Sequence, residues 1–294
     1  MKKNTLLTIA LALTGALNAQ TDANRLMVIK EGMAGYIDSF GAEVIAPAFT
    51  MGNQFSEGLA SVVHNNNKGF RYVFINDKMD IVISTVFDGA GDFSEGLARV
   101  NTGGKWGYIN KEGKTVIEPK FQLCYEFSEG FAQAQTKGKW GLIDKKGQWV
   151  IQPEYNDLTQ VGEGLIAVQK NFAGKWTYID TKGAQVIKDS FERAGFFANG
   201  LAPVRKNDKW GFINKKGEVV VDYQYSGARE FSGGLACVEK DFAKWGFIDT
   251  KGTVTIDFKF DRSARFRYNH ALVETTKGYA YINKKGTIIW QAAQ

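Results

Sequence analysis

Glu57, Glu95, Glu129 and Glu163 each precede a glycine in the same string, best seen as Phe93-Ser94-Glu95-Gly96-Leu97-Ala98. Carboxylates are the acids and nucleophiles of glycoside hydrolysis, but that reaction needs two of them placed uniquely across one bond. A carboxylate copied once per repeat, in a glycine-containing loop, is expected instead to cap that loop's own backbone. The chain has two histidines. His64 lies in an asparagine-rich turn, and His270 takes the leucine position of a decayed copy of the string, where it reads as a packing substitute rather than a base. Zinc-protease spacing, paired cysteine ligands, a phosphate-cradling loop and a nucleophile elbow are all missing from the sequence. Recurring Asp and Asn residues in the turns have lysines beside them, which oppose a divalent cation. The sequence therefore reads as that of a protein that is not an enzyme, with no catalytic, cofactor-binding or metal residue to assign and no cofactor implied.

The lysine–tryptophan pairs reveal the elements behind these residues. Trp106, Trp140, Trp176, Trp210 and Trp245 each follow a lysine, and all but Trp176 precede glycine. Three residues on comes isoleucine and then Asp or Asn, with steps of 34, 36, 34 and 35 residues between the isoleucines. A period of that size marks a repeat architecture, in which one supersecondary unit is copied and stacked on its neighbours. Degraded copies extend the register to Gly35-Tyr36-Ile37-Asp38, Val73-Phe74-Ile75-Asn76 and Ala280-Tyr281-Ile282-Asn283, giving about eight repeats.

Leu97 to Pro119 serves as the type unit. Leu97–Val100 alternates like a half-buried strand, and Lys105–Ile109 is a second strand rich in aromatic and β-branched residues. Asn110-Lys111-Glu112-Gly113 has hairpin chemistry: the Asx side chain bonds the backbone two residues on, and glycine supplies positive φ. Thr115–Ile117 is a third strand that Pro119 is expected to end. The spacing thus predicts an all-β chain of tandem three-stranded antiparallel meanders. Strand parity puts Trp106 and Tyr108 on one face and Gly107 and Ile109 on the other, with the glycine marking a close backbone approach. The tryptophans are read as packing anchors, each removing roughly 150–250 Å² from water. An exposed aromatic row for stacking on sugars is the alternative.

The first copy begins with its own first strand and the last ends with its own third, so no strand remains to complete a unit at the other terminus. That count favours an open, superhelical, solenoid-like array, with a closed propeller-like toroid as the alternative.

Residues 1–19 read as a signal peptide, with Lys2 and Lys3 as the basic start, Leu6–Leu13 as the apolar run and Ala16–Ala19 before the cut. Residues 20–294 then form a single repeat domain, starting near Gln20 or Thr21, and the expected location is secreted or periplasmic. No later segment approaches the ~20 apolar residues of a membrane-spanning helix. Formal charge falls from +6 to +4 without the two leader lysines, which bears on solubility more than on a partner. Lysines recur before the tryptophans and in the hairpin turns, where they are expected to solvate the fold and block edge pairing, with a cationic strip for anionic envelope polymers or acidic proteins as the alternative. Cys124 and Cys237 occupy different motif positions more than three units apart, so two thiols are expected, with Cys237 buried.

The string Lys-Trp-Gly-aromatic-Ile-Asp/Asn-x-x-Gly, followed by a branched strand and Phe-Ser-Glu-Gly-Leu-Ala, resembles the WG repeat family of bacterial proteins over roughly Arg25 to Trp290. Departures are Thr177 in place of the glycine, the stretch Asn65 to Ile81, and Arg267 to Ala271. The resemblance implies a β-repeat module with binding or structural roles and carries no catalytic residues. The functional expectation is an exported, non-catalytic scaffold for protein–protein interaction in the cell envelope or extracellular space. Recognition of envelope glycan by exposed aromatics and lysines is the alternative, and nucleic acid is excluded by export.

Overall fold

The computed structural model describes residues 25–66 and 69–292, so the expected leader at residues 1–19 lies outside the described residues. The described chain divides into two compact units, one ending at Phe121 and the other beginning at Gln122. The first contains three antiparallel sheets and the second contains five.

Sheet four of the chain shows the plan. Its strands are Leu123–Cys124, Phe131–Thr136, Lys139–Asp144 and Trp149–Tyr155, hydrogen-bonded in sequence order. The expected three strands per repeat thus become four in six of the sheets; the first two sheets show three. Except in sheet three, the extra strand is a pair of residues lying in what the sequence suggested was a connection. Two residues carry no alternation, so pattern reading passes over them.

Pro119 does not end its strand, which runs Thr115–Phe121. The pairing skips from Ile117↔Tyr108 to Phe121↔Trp106, and Pro119 sits inside this bulge, where no ladder N–H is required. The bulge also explains the glycine of the tryptophan–glycine pair. A Cβ on Gly141 would lie 2.5 Å from the Ile151 carbonyl oxygen, because the fourth strand arches over that position. Thr177, the one departure in the clear copies, donates its hydroxyl to the corresponding Ile187 carbonyl at 3.1 Å.

Within each unit, consecutive sheets bury their facing sides against one another. Trp176, Tyr178, Ile187, Phe191 and Phe197 pack against Ala202, Val204 and Ile213 of the next sheet. Trp140, Leu142, Ile151 and Val161 do the same against Ile166, Val168 and Ile179. In the first unit, Phe74, Ile83 and Phe93 meet Ala98, Val100 and Ile109. The phenylalanine that opens the Phe-Ser-Glu-Gly string makes an edge-on contact with the aromatic two residues after the tryptophan, at 5.0 Å for both Phe197–Tyr178 and Phe231–Phe212.

These sheets are wedges. In the fourth to seventh sheets one edge is a two-residue strand, such as Gly227–Ala228, and the other is a seven-residue strand ending in Phe or Tyr. Wedges laid side by side converge at their thin edges. In the second unit, Arg265 at the thin edge of sheet eight reaches Phe196 of sheet six, its guanidinium 5.2 Å from the ring centroid, with sheet seven between them in sequence. Parallel slabs in an open superhelical stack keep alternate sheets apart. The expected solenoid-like array is therefore overturned, and the propeller-like alternative describes the chain.

Candidate functional site

Two kinds of turn lie at the same end of the sheets. The Glu-Gly turns join first and second strands as two-residue hairpins: Glu129 and Gly130 both have positive φ, 54° and 85°, and Ser128 and Phe131 exchange both backbone hydrogen bonds. The Asx turns join third and fourth strands; Asp144 Oδ1 accepts the amides of Lys146 and Gln148 at 2.9 Å each, as the sequence predicts.

The glutamates do cap backbone, but on the following sheet rather than their own loop. Glu129 accepts the amides of Glu163 at 2.5 Å and Gly164 at 2.8 Å, and Glu163 accepts that of Gly200 at 2.9 Å. Glu57 accepts Gly96 N–H at 3.1 Å in the first unit, and Asn199 plays the same part toward Gly234. Lys111 closes on Glu57 at 3.1 Å and Lys215 on Glu163 at 3.0 Å. Burial alone would raise the Glu163 carboxyl, but the Gly200 amide and Lys215 together hold it below the usual range. These carboxylates are committed to a turn-to-turn clasp.

The tryptophans are committed too. Trp140 and Trp176 are buried, while Trp106, Trp210 and Trp245 are half-buried. Trp140 stacks on Tyr125 at 5.3 Å, and Arg99 and Arg229 lie over Trp106 and Trp245 at 4.8 and 5.6 Å. These contacts occupy the indoles with packing inside the fold, as the packing-anchor expectation has it.

Cys124 and Cys237 are both buried and form no disulfide, and burial pushes the Cys237 thiol up to about 12. Among the described residues no group of three or more His, Cys, Asp or Glu is placed to hold a metal ion. The side chain of His64 lies outside the described residues. His270 is buried at the leucine position of its string, as expected of a packing substitute; its Nδ1 has no hydrogen-bond partner and burial lowers its pKa. A lowered folded pKa means protonation favours the unfolded chain, so its contribution is lost as pH falls through the ordinary histidine range. His270→Leu is expected to stabilise the protein by about 1 kcal/mol by removing the orphan nitrogen. Thermal melts should show a larger gain near about pH 5 than near about pH 8.

With the repeated residues accounted for, the positions that differ between copies stand out, and they gather on the thin first-strand edge. Four residues before the string's phenylalanine stand Gly89, Leu123, Asp157, Arg193, Gly227 and Arg262. The residue immediately before it is Asp92, Glu126, Gln160, Phe196, Glu230 or Arg265. In the second unit this edge presents Arg193, Arg229, Arg262 and Arg265, all exposed, around half-buried Phe196 and Glu230; Arg262 pairs with Glu274 at 3.3 Å, and Glu126 and Asp157 are the acids of the same edge. Asp157 faces Arg193; burial raises its carboxyl, opposed by the Leu158 amide and the arginine. A Cβ on Gly195 would lie 2.6 Å from Glu230 Oε1 and 2.7 Å from Cγ of the Pro203 ring. The edge is cationic, aromatic and rich in planar donors. Its chemistry suits carboxylate recognition. Sequence reading missed it because the residues lie one to a repeat in segments without periodicity; the signal was their variation against an otherwise constant frame.

The sequence matches the family described as WG containing repeat over residues 35–68, 74–106, 106–140, 140–176, 176–210, 210–241 and 245–278. The chain belongs to the WG repeat family. Among curated proteins, none matches the sequence of this WG repeat chain. Its structure is similar to that of BamB from Moraxella catarrhalis, with a TM-score of 0.53 and 12% identity over 88% of this chain and 93% of that one. It is also similar to a eukaryotic initiation factor structure, with a TM-score of 0.56 and 10% identity over 90% and 86% of the two chains. At such identities the likeness concerns the fold alone. That fold is the β-propeller, in place of the open solenoid expected from counting terminal strands; a matched repeat such as 140–176 takes in the last two strands of one sheet and the first two of the next.

Proposed function

We propose that this WG repeat propeller is an exported, non-catalytic scaffold that holds an acidic segment of a protein partner in the cell envelope. The observation that carries the reading is the division of labour within the repeat. Tryptophans, clasp glutamates and Asx residues recur and are committed to the frame, whereas the thin-edge residues of the second unit vary and leave four arginines exposed. Arginine beside an aromatic ring offers bidentate donors to carboxylates with an apolar contact nearby. Export rests on the leader-like residues 1–19, and the expected check is an intact mass that begins near Gln20 or Thr21.

The test is capture from an envelope extract, followed by titration of the purified captured protein. Arg193→Glu with Arg265→Glu is expected to weaken that binding about 100-fold, since each reversal replaces attraction by like-charge repulsion. Binding should also weaken with salt. A captured protein that holds equally well to the reversed variant would sink the assignment, as would turnover of a small substrate abolished by the same pair.

A further inference from the structure

The opposite end of the sheets carries the turns between second and third strands, and two of them in the second unit project a bare aromatic. Phe172 is 88% exposed and Phe242 is 76% exposed. We propose that this end of the second unit docks on an anionic phospholipid surface, with both phenylalanines entering the headgroup–acyl boundary.

Phe242 occupies a position that disfavours it. Its φ is 55°, in the left-handed region, where a bulky residue is a genuine outlier. Its turn has three residues, 241–243; in the two-residue turns of other sheets the second residue is Gly104, Gly138 or Asp208, types that adopt this conformation with less strain. No core contact accounts for an aromatic there, since the ring is mostly in water. The backbone is nevertheless fixed, with the Phe242 amide donating to Ser226 Oγ at 2.8 Å. Strain retained at an exposed tip points to a use for the side chain. Phe172 sits in a longer turn than its two-residue counterparts. That turn is braced by Gly174 N–H to the Asn171 carbonyl at 2.9 Å and by Gln169 Nε2 to the Gly174 carbonyl at 2.7 Å.

The surroundings set the sign of the partner. Lys170 and Lys175 flank Phe172, Lys240 and Lys244 flank Phe242, and sheet six, between them in sequence, contributes Lys206 and Lys209. Lys209 Nζ lies 5.7 Å from the Phe242 ring centroid. Asp208 pairs with Arg205, Asp261 with Lys244 and Glu154 with Lys170, so Lys175, Lys206, Lys209 and Lys240 are the lysines left to face the surface, with Asp241 beside Phe242 as the opposing charge. Basic residues around apolar tips match a negatively charged interface, where lysine stems lie along the apolar layer and the ammonium groups meet phosphates. A single protein groove would accommodate one such tip. Two tips on alternate sheets, each projecting and each ringed by lysine, match a continuous surface.

Flotation with phosphatidylcholine vesicles, with or without roughly one-third phosphatidylglycerol, tests this on the protein purified in the form its host makes. The protein should float with the anionic vesicles and remain behind with the neutral ones. Phe172→Ser with Phe242→Ser should weaken partition about 100-fold, roughly ten-fold for each ring. An unchanged circular dichroism spectrum would show that the fold is intact. Arg193→Glu with Arg265→Glu, which tests the thin edge, should float as the parent does, so the two readings fail separately. Equal partition of the double serine variant, or no partition at all, overturns the proposal. Capture of an acidic protein through these two rings without vesicle binding overturns it as well.

Discussion

Phe197→Ala is expected to destabilise the second unit by about 3–5 kcal/mol, the range for truncating a fully buried aromatic. Phe197 is 1% exposed and belongs to a core shared by two sheets, touching Tyr178 edge-on at 5.0 Å. Truncation leaves a cavity bounded on one side by Tyr178 and Phe191 and on the other by Ala202 and Val204, residues anchored in separate ladders that cannot collapse independently. Denaturant unfolding followed by tryptophan fluorescence reads the loss directly. Because Trp176 lies in the same core, its signal should report the event. A change below about 1 kcal/mol would mean that the shared cores are not what joins the blades.

Gly141→Ala tests the other feature repeated in every clear copy but one. The added Cβ would meet the Ile151 carbonyl at 2.5 Å and the Gln152 carbonyl carbon at 2.9 Å, both backbone atoms of a bulged strand. Neither is a flexible side-chain end that can swing aside, so the fourth strand must move. The expected loss is about 2–3 kcal/mol, within the range for overpacking a rigid site. For a unit of this size that corresponds to a fall of roughly 5–10 °C in Tm. The reciprocal change, Thr177→Gly, removes a hydroxyl bonded to the Ile187 carbonyl and should have a far smaller effect. Calorimetry on the two variants separates a steric demand for glycine from a general preference for it. Equal losses in both would remove the steric explanation.

The repeat was legible because its residues answer local demands. An Asx oxygen that accepts two amides of its own turn needs nothing beyond the hairpin, so Asp144 and Asn214 announce their role in sequence. The close approach at Gly107 and Gly141 was also readable, since glycine inside an aromatic strand has few other reasons to persist. Pro119 misled because the rule that proline stops a strand holds for a regular ladder, and a bulge releases the N–H that proline lacks. Glu129 misled differently: its turn was correctly placed, but its partner is a turn 35 residues on, a distance no local rule measures.

The amino-acid sequence alone determined the period, the strand-forming segments, the turn chemistry and the family, because each follows from neighbours within one hairpin. The tertiary structure decided the wedge shape, the thin edge where Arg193, Phe196 and Arg265 gather, and the opposite end where Phe172 and Phe242 project. Those depend on how twisted, tapering sheets pack face to face, and the thin edge of each taper is a strand only two residues long. Side chains brought together by that packing are separated by whole repeats along the chain, so their meeting leaves no pattern for periodicity to detect.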